Sequence, residues 1–561
     1  MTRSATTDLP HSRRHFPADR ALYRAAQVRA LDAVAIRGGI SGFDLMQRAG
    51  AALLRVLMER WPASRELLVF TGPGNNGGDG FVVAVLAAQQ GVAVTVVMLS
   101  PPDRLQGDAR LAFELAGKAD RVQLLDWQST DVAHGLQKLL DEASESTVIL
   151  DAMLGTGISG ELREPFAQVV AAINRSGLPV VAADIPTGLG SDTGAVAGDS
   201  VSANVTVTFI GLKQGLFTAA GPDCCGDIVF DRLDVPAAAY EHADVGAPTG
   251  RRLDIQAVLP MLRPRHFTAH KGDCGHVLVV GGDSGFGGAA VMAAEAAARA
   301  GAGTVTLLTR PENVSSVLAR RPEIMARGFS DEFLQDETGC VAEVNKLLGD
   351  NSVIVLGPGL GQSAWSRALL RIVLQVQQRR DLPMVLDADA LNLLADERMT
   401  IAPDVRLPQA NWVITPHPGE AARLLDCDTA TVQKDRFAAT TALHRQWAGV
   451  VLLKGAGTLI ASSDESQVVI DVCTEGNPGM ASGGMGDVLA GITGGLMAQL
   501  LRLEISAADA VRCAACVHGE SADLAAADSG QRGMLATDLL PYVQALVSQE
   551  LKINSGAFLG R

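Results

Sequence analysis

The feature that most constrains this chain is a rhythm. Short, almost continuously apolar runs each end in a glycine-rich or carboxylate-bearing turn, and a helical pattern follows. In the first half Leu67–Thr71, Val92–Leu99, Val148–Asp151, Pro179–Asp184 and Val205–Ile210 read as strands. In the second half His276–Val280, Val305–Leu308, Val353–Leu356, Met384–Leu386, Val413–Thr415 and Val450–Leu453 do the same. Strands that are apolar on both sides and alternate with helices predict parallel sheets covered on both faces. Ligands bind such sheets beyond the carboxyl ends of their strands, so the turns there carry the functional reading.

No residue-level repeat relates the halves, and 561 residues exceed what one core holds. Two unrelated α/β domains are therefore expected. The boundaries read as a flexible tail over 1–20, a first domain over 21–235, a linker over 236–252 and a second domain over 253–550. Helical patterns run from Leu22 to Arg60, broken at Gly38-Gly39 and Ser41-Gly42, then over Phe81–Ala88 and Ala289–Ala300. Glycine at 59 residues with 4% aromatics favours close helix–sheet packing over a disulfide-stapled or all-β design. A net charge of −15 speaks against nucleic-acid and acidic-membrane partners. It leaves nucleotides open, because helix N-termini bind phosphate without net positive charge.

The eight cysteines show no metal framework; Cys513 and Cys516 form a lone CxxC in an alanine-rich helical stretch. Buried free thiols in a reducing cytoplasm are expected. The longest apolar run, Val488 to Leu501, is too short and glycine-rich to span a bilayer. Arginines before Gly38 hint at a transit peptide, but Asp8, Asp19 and Asp32 count against one. No signal-peptide core is present in the first twenty residues, so a cytoplasmic location is expected.

The densest turn runs from Gly476 through Gly483-Gly484-Met485-Gly486 to Asp487, directly before a helix striped by Val488, Ile492, Leu496 and Leu500. Such a loop brings unpaired N–H groups to a helix N-terminus, where anions are favoured. Asp487 reads there either as a cap or as a proton acceptor beside a bound phosphate. Other turns in this half are Gly357-Pro358-Gly359-Leu360-Gly361, Asp387-Ala388-Asp389, Thr415-Pro416-His417-Pro418-Gly419-Glu420 and Lys454-Gly455-Ala456-Gly457-Thr458. Asp387 and Asp389 read equally as helix caps and as substrate or magnesium contacts. His270-Lys271-Gly272, before the first strand, reads either as one more motif of the site or as structural.

In this order the turns resemble the ribokinase-like superfamily and, more narrowly, the ADP- or ATP-dependent NAD(P)H-hydrate dehydratases, over residues 253 to 545. The resemblance implies a ribokinase-like αβα sandwich that restores hydrated NADH or NADPH at the cost of a nucleotide phosphate. It implies Asp487 as the catalytic base, and Ala289, Gly359 (or its neighbour Leu360), His417 and Asp487 around the hydrated dinucleotide. Lys454, Gly455, Ala456, Gly457, Thr458 and Gly486 are implied for the nucleotide, with a magnesium ion accompanying ADP.

The first half carries clusters rich in oxygen donors: Asn75-Asn76-Gly77-Gly78-Asp79, Asp151 with Gly155-Thr156-Gly157-Ile158-Ser159-Gly160-Glu161, and Asp184-Ile185-Pro186-Thr187. Amide, carboxylate and hydroxyl oxygens without thiols suit a hard cation. Over residues 20 to 235 these clusters resemble the NAD(P)H-hydrate epimerases, which implies a Rossmann-like three-layer αβα sandwich. The resemblance implies a potassium ion held by Asn76, Asp151 and Thr187, the last a threonine where the family usually has serine. It implies substrate contacts at 75–79, 155–161 and Asp184, and Asp184 is the carboxylate expected to assist epimerisation. Together the halves resemble a fused repair enzyme, expected as a homo-oligomer. The alternatives are a small-molecule kinase with an accessory first domain, and a non-enzymatic interaction module.

Overall fold

The computed structural model describes residues 20–549 except 128–129, 158–159, 350–351, 402–408 and 465–466. Residues 1–19 of the expected tail and the substrate positions Ile158 and Ser159 lie outside the described residues. The chain divides into two compact units between Arg251 and Arg252. Residues 236–252, read above as linker, belong largely to the first unit: Ala239 and Val245 are buried in its core beside Leu233 and Val235.

The first unit is built on seven parallel strands in the order Val122–Asp126, Ala93–Met98, Glu66–Thr71, Thr147–Ala152, Val180–Ala183, Val205–Phe209, Asp227–Asp231. Alternate side chains separate two cores. Leu67, Val69, Val94, Val96, Val148 and Leu150 pack against helices Ala25–Arg37, Gly42–Arg60 and Asn75–Gln89. Leu68, Phe70, Val97, Ile149 and Ala182 pack against Thr130–Asp141 and Phe166–Ser176. This period of two, with both faces covered, makes a three-layer sandwich.

Two local expectations fail here. Ala21–Tyr23 is a strand, pairing in parallel with Leu212–Lys213, and the helix starts only at Ala25. The Asn75–Gly80 segment is the first turns of a helix rather than a loop before Phe81. Its glycines serve close packing. A Cβ on Gly77 would lie 2.2 Å from the Gly72 carbonyl oxygen, and one on Gly80 2.7 Å from the Ala152 Cβ.

The second unit's sheet runs Met325–Gly328, Thr304–Thr309, His276–Val280, Ser352–Leu356, Met384–Leu386, Trp412–Ile414, Val450–Leu453, all parallel. An antiparallel hairpin, Thr458–Asp464 with Gln467–Cys473, extends it, and Arg252 and Leu253 pair in parallel with Val472 and Cys473. One face packs on helices Gly287–Arg299, Met485–Leu500 and Ala507–Ser529. Helix Met485–Leu500 is buried well beyond the four-residue stripe, because it lies between the sheet and neighbouring helices. Its glycines allow that fit: a Cβ on Gly491 would meet the Ala293 carbonyl oxygen at 2.1 Å, and one on Gly494 the Val355 Cγ2 at 2.3 Å.

The strand order reverses between Glu66–Thr71 and Thr147–Ala152 in the first unit's sheet, and between His276–Val280 and Ser352–Leu356 in the second's. That is where a doubly wound sheet opens a crevice at its carboxyl edge.

Candidate functional sites, one in each unit

Strand register assembles the second unit's site. Val280 pairs with Leu356, Leu356 with Leu386, and Leu386 with Ile414, so the turns that follow these strands emerge side by side. Asp283 N–H donates to the Gly359 carbonyl at 2.8 Å, and the Phe286 carbonyl oxygen lies 2.4 Å from where a Cβ on Gly359 would sit. Gly359 takes a φ of +59°, so a side chain there would be strained and would collide. Ala289, early in helix Gly287–Arg299, has its methyl 3.0 Å from the same point. These predicted substrate positions do come together.

Lys454 is the hub. Its Nζ donates to Asp387 Oδ1 at 2.6 Å and lies 3.8 Å from Glu420 Oε2. Its backbone N–H donates to the Pro416 carbonyl at 2.9 Å. Burial alone would push its ammonium down, but Asp387, Glu420 and Asp487 outweigh that and raise it. Asp387 is 1% exposed and also accepts from Thr415 Oγ1 at 2.9 Å. Its side chain thus ties loops together instead of capping a helix. Asp389 accepts from the Gly361 N–H at 2.9 Å. Ala388, between them, is held at φ +50°, a conformation that a non-glycine residue rarely adopts.

His417 caps helix Pro418–Leu424: its Nδ1 accepts from Gly419 and Glu420 N–H groups, and Glu420 Oε2 accepts from its own N–H at 2.8 Å. Nδ1 is therefore the acceptor nitrogen and Nε2 bears the proton. Burial, then Lys454 and Arg423, lower its pKa, which keeps the ring neutral.

Gly484, at φ +93°, is the N-cap of helix Met485–Leu500, and no side chain caps it. Asp487 lies in the first turn. It does not cap; its carboxyl is pushed up to about 7 by burial, by Asp387, and by Asp389 and Glu420, against the pull of Lys454. A carboxyl near neutrality beside free N–H groups can accept a proton from a hydroxyl that attacks a bound phosphate. Gly486 faces Lys454: a Cβ there would lie 3.2 Å from Nζ.

Residues that the sequence did not signal complete the site. Arg436 is buried, and its Nη2 donates to the carbonyls of Leu453, Lys454 and Gly457. It shapes the Lys454–Gly457 turn from behind, although an arginine opening a helix looks solvated in sequence. His518, on helix Ala507–Ser529, is 7% exposed, and its Nε2 has no hydrogen-bond partner among the described residues. Burial and then Lys454 lower its pKa to about 4. His270 and Lys271 form an exposed turn at the opposite, amino end of strand His276–Val280 and do not join the site.

The first unit has a cavity of about 680 Å³ at its own crevice, lined by Asn75, Asn76, Asp79, Gly155, Thr156, Gly157, Glu161 and Asp184 among others. Phe70 pairs with Asp151, which sets the turn after Thr71 beside the turn after Ala152. Asp151 is wholly buried; Thr187 donates to it through both Oγ1 and N–H, each at 2.8 Å. Burial, opposed by those bonds, leaves its carboxyl raised to about 6. Asn76, 8% exposed, has both amide atoms without a partner among the described residues. A Cβ on Gly155 would sit 3.7 Å from the Asn76 Cγ. Asp184 sits at φ +64° and is ion-paired with Lys213, a buried lysine absent from the sequence reading.

Two crevices at the carboxyl edges of parallel sheets, one with a lysine–carboxylate hub at an uncapped glycine-loop helix, define a two-domain α/β enzyme of the nucleotide-handling kind. Residues 277–545 match the family described as NAD(P)H-hydrate dehydratase, and residues 42–215 match the one described as YjeF-related protein N-terminus. The chain is 45% identical to the bifunctional NAD(P)H-hydrate repair enzyme of Coxiella burnetii, covering 94% of this chain and 99% of that one. It is 41% identical to the Escherichia coli enzyme of the same name, over 91% of each. The chain belongs to the family of bifunctional NAD(P)H-hydrate repair enzymes. Among solved structures it aligns with a ribokinase-like superfamily protein from Enterococcus faecalis at 27% identity and a TM-score of 0.45, covering 55% of this chain and 99% of that one. It also aligns with the ADP/ATP-dependent NAD(P)H-hydrate dehydratase of Bacillus subtilis, co-crystallized with ATP/Mg2+, at 24% identity and a TM-score of 0.43, covering 53% and 98%.

Proposed function

We propose that the two units carry successive steps in repairing hydrated NADH and NADPH. The first interconverts the R and S hydrates, and the second dehydrates the S form with ADP, giving AMP and phosphate. The observation that carries this reading is Asp487: an uncommitted carboxyl near neutrality in the first turn of an uncapped helix, facing the Lys454 hub.

Hydroxide is a poor leaving group, and phosphate is a good one. In the second unit the ring hydroxyl attacks the terminal phosphoryl group of ADP while Asp487 takes the hydroxyl proton. The helix N–H groups and Lys454 stabilise the charge that develops on the transferring group. Loss of phosphate and of a proton from the neighbouring carbon then restores the ring double bond. Asp387 Oδ1 is already taken by Lys454 and Thr415, so Oδ2, on the side of Gly486, is the oxygen left for a nucleotide-bound magnesium ion. Ala289, Gly359 and His417 would hold the hydrated dinucleotide, and Gly455 to Thr458 the adenine nucleotide.

In the first unit the donors fit a potassium ion. A buried carboxamide without partners, a buried carboxylate and a hydroxyl, from Asn76, Asp151 and Thr187, are hard oxygen ligands. When bound, the ion would supply positive charge for the substrate's phosphates; the chain's own glycines let the diphosphate approach the backbone. No helix among the described residues is long and apolar enough to cross a membrane. The reading places the protein in the cytoplasm as a homo-oligomer.

The test is to incubate the purified chain with mixed R and S hydrates and ADP, ATP or no nucleotide, following reduced-nicotinamide absorbance. Both epimers should be consumed with ADP. Persistent R hydrate refutes the first unit's role, and a stable phosphate ester without recovered absorbance marks a plain kinase.

A further inference from the structure

The first unit's cavity holds more acid than the roles above use. Besides Asp184 it is lined by Asp32, from helix Ala25–Arg37, and by Asp79. Lys213 is wholly buried, and its ammonium has three partners: Asp184 Oδ1, Thr208 Oγ1 at 3.0 Å and the Phe209 carbonyl at 3.0 Å. An ammonium has three protons to donate, so Lys213 is fully engaged. The same Asp184 oxygen also accepts from the Phe209 N–H at 3.2 Å and from Thr208 Oγ1 at 3.3 Å. Asp184, in a left-handed backbone conformation, is held in this cluster through Oδ1, beside the Lys213 ammonium. A carboxylate fixed in that way orients a ligand better than it shuttles protons.

Asp32 is the opposite case. It faces the same cavity, and among the described residues its side chain makes no hydrogen bond or ion pair. The charged and titratable groups around it are Lys213 and Asp184 on the cavity wall, Asp79 on helix Asn75–Gln89, Arg29 one turn back on its own helix, and Tyr240. Burial raises its carboxyl to about 6, with Lys213 and Arg29 opposing and Asp184 reinforcing.

The substrate chemistry needs such a group. Water adds to the enamine of a dihydronicotinamide with its hydroxyl on the carbon bonded to nitrogen, since the nitrogen lone pair stabilises positive charge there. That centre is a hemiaminal. It can invert without oxidation: the hydroxyl proton leaves, a C=O bond forms as the C–N bond breaks, and the nitrogen gains a proton. Rotation about the neighbouring C–C bond presents the other face of the carbonyl, and the reverse steps close the ring. The net change is one proton moved from oxygen to nitrogen and back.

We propose that Asp32 carries this proton, while the Lys213–Asp184 ion pair forms the fixed wall that orients the ring. The proposal rests on the epimerase reading of the first unit. As a carboxylate Asp32 takes the hydroxyl proton, and as the acid it returns that proton to the ring nitrogen. A group that must do both works best near its own pKa, so the acid limb of the epimerisation rate falls near pH 6.

The test uses the full chain without nucleotide, separating R and S hydrates by chromatography and subtracting the uncatalysed rate. Asp32→Asn should lower kcat roughly 10²- to 10⁴-fold with KM within about twofold, and the acid limb should disappear. Asp32→Glu, which keeps the carboxyl, should recover part of the rate together with that limb. Lys213→Met should raise KM and move the acid limb to higher pH, because it removes a cation that opposes the rise of the Asp32 carboxyl. An Asp32→Asn chain with kcat within about threefold of the parent, a kept acid limb, or a loss confined to KM overturns the proposal. A parent chain that does not interconvert the hydrates overturns the epimerase reading, and this proposal with it.

Discussion

Dehydration should depend on pH through Asp487. Its carboxyl lies near 7 because burial and a ring of acids, Asp387, Asp389 and Glu420, outweigh Lys454. A base must be ionised to accept a proton. With a pKa of about 7, roughly a tenth of Asp487 is ionised at pH 6 and roughly nine-tenths at pH 8. kcat/KM for the S hydrate with saturating ADP should therefore rise about tenfold across that interval. Glu420→Gln removes one of the acids that hold the pKa up, and its amide oxygen can still accept from the His417 N–H. The acid limb should then move to lower pH, while Asp487→Asn should lose about 10²- to 10⁴-fold in rate and leave epimerisation intact. The assay is recovery of reduced-nicotinamide absorbance from purified S hydrate in buffers of constant ionic strength. A profile that is flat between pH 6 and 8, or a limb that Glu420→Gln does not move, would refute the proton-accepting role.

Two other perturbations test the structural reasoning. Glu475, Glu520 and Asp523 place carboxyl oxygens within 4.8 Å of one another, and burial first, then mutual repulsion, raises Glu475 and Glu520 to about 7. The folded state then keeps protons that the unfolded chain gives up above about pH 4.5, so this stability is full below that pH and is lost as pH rises to about 7. At roughly 3 kcal/mol as an upper bound for such a shift, Glu520→Gln should raise the melting temperature at pH 8 and change it little at pH 5. Equal shifts at both pH values would contradict the burial argument. In the first unit, Thr187→Val removes a hydroxyl that donates to Asp151 and accepts from the Leu154 N–H, and should cost about 1–3 kcal/mol by denaturant titration. It should also abolish the dependence of epimerisation on potassium chloride, measured against choline chloride, whereas Thr187→Ser keeps it.

Much of this was legible in the chain, and the reason is physical. Central parallel strands are buried on both faces, so Val277 to Val280 and Val353 to Leu356 must be apolar throughout and announce themselves. Edge strands such as Val122–Asp126, Asp227–Asp231 and Met325–Gly328 are only partly covered, and their mixed composition hid them. The loops that hold ligands are similarly readable, because a backbone that approaches phosphate or turns at positive φ needs glycine at Gly359 or Gly484.

The architecture of two α/β units, the strand-end turns and the loop that ends at Asp487 are all written in the order of residues along the chain. Those features follow from local rules of burial, chirality and helix polarity. The tertiary structure alone decided the partners of the charges. Lys213 lies 29 residues from Asp184, and Lys454 lies 67 from Asp387. Arg436 reaches three carbonyls of another turn, and Asp32 enters the cavity from a helix with no motif. A titratable group's behaviour depends on what surrounds it in space and on how far water is excluded, and neither is a property of its neighbours along the chain.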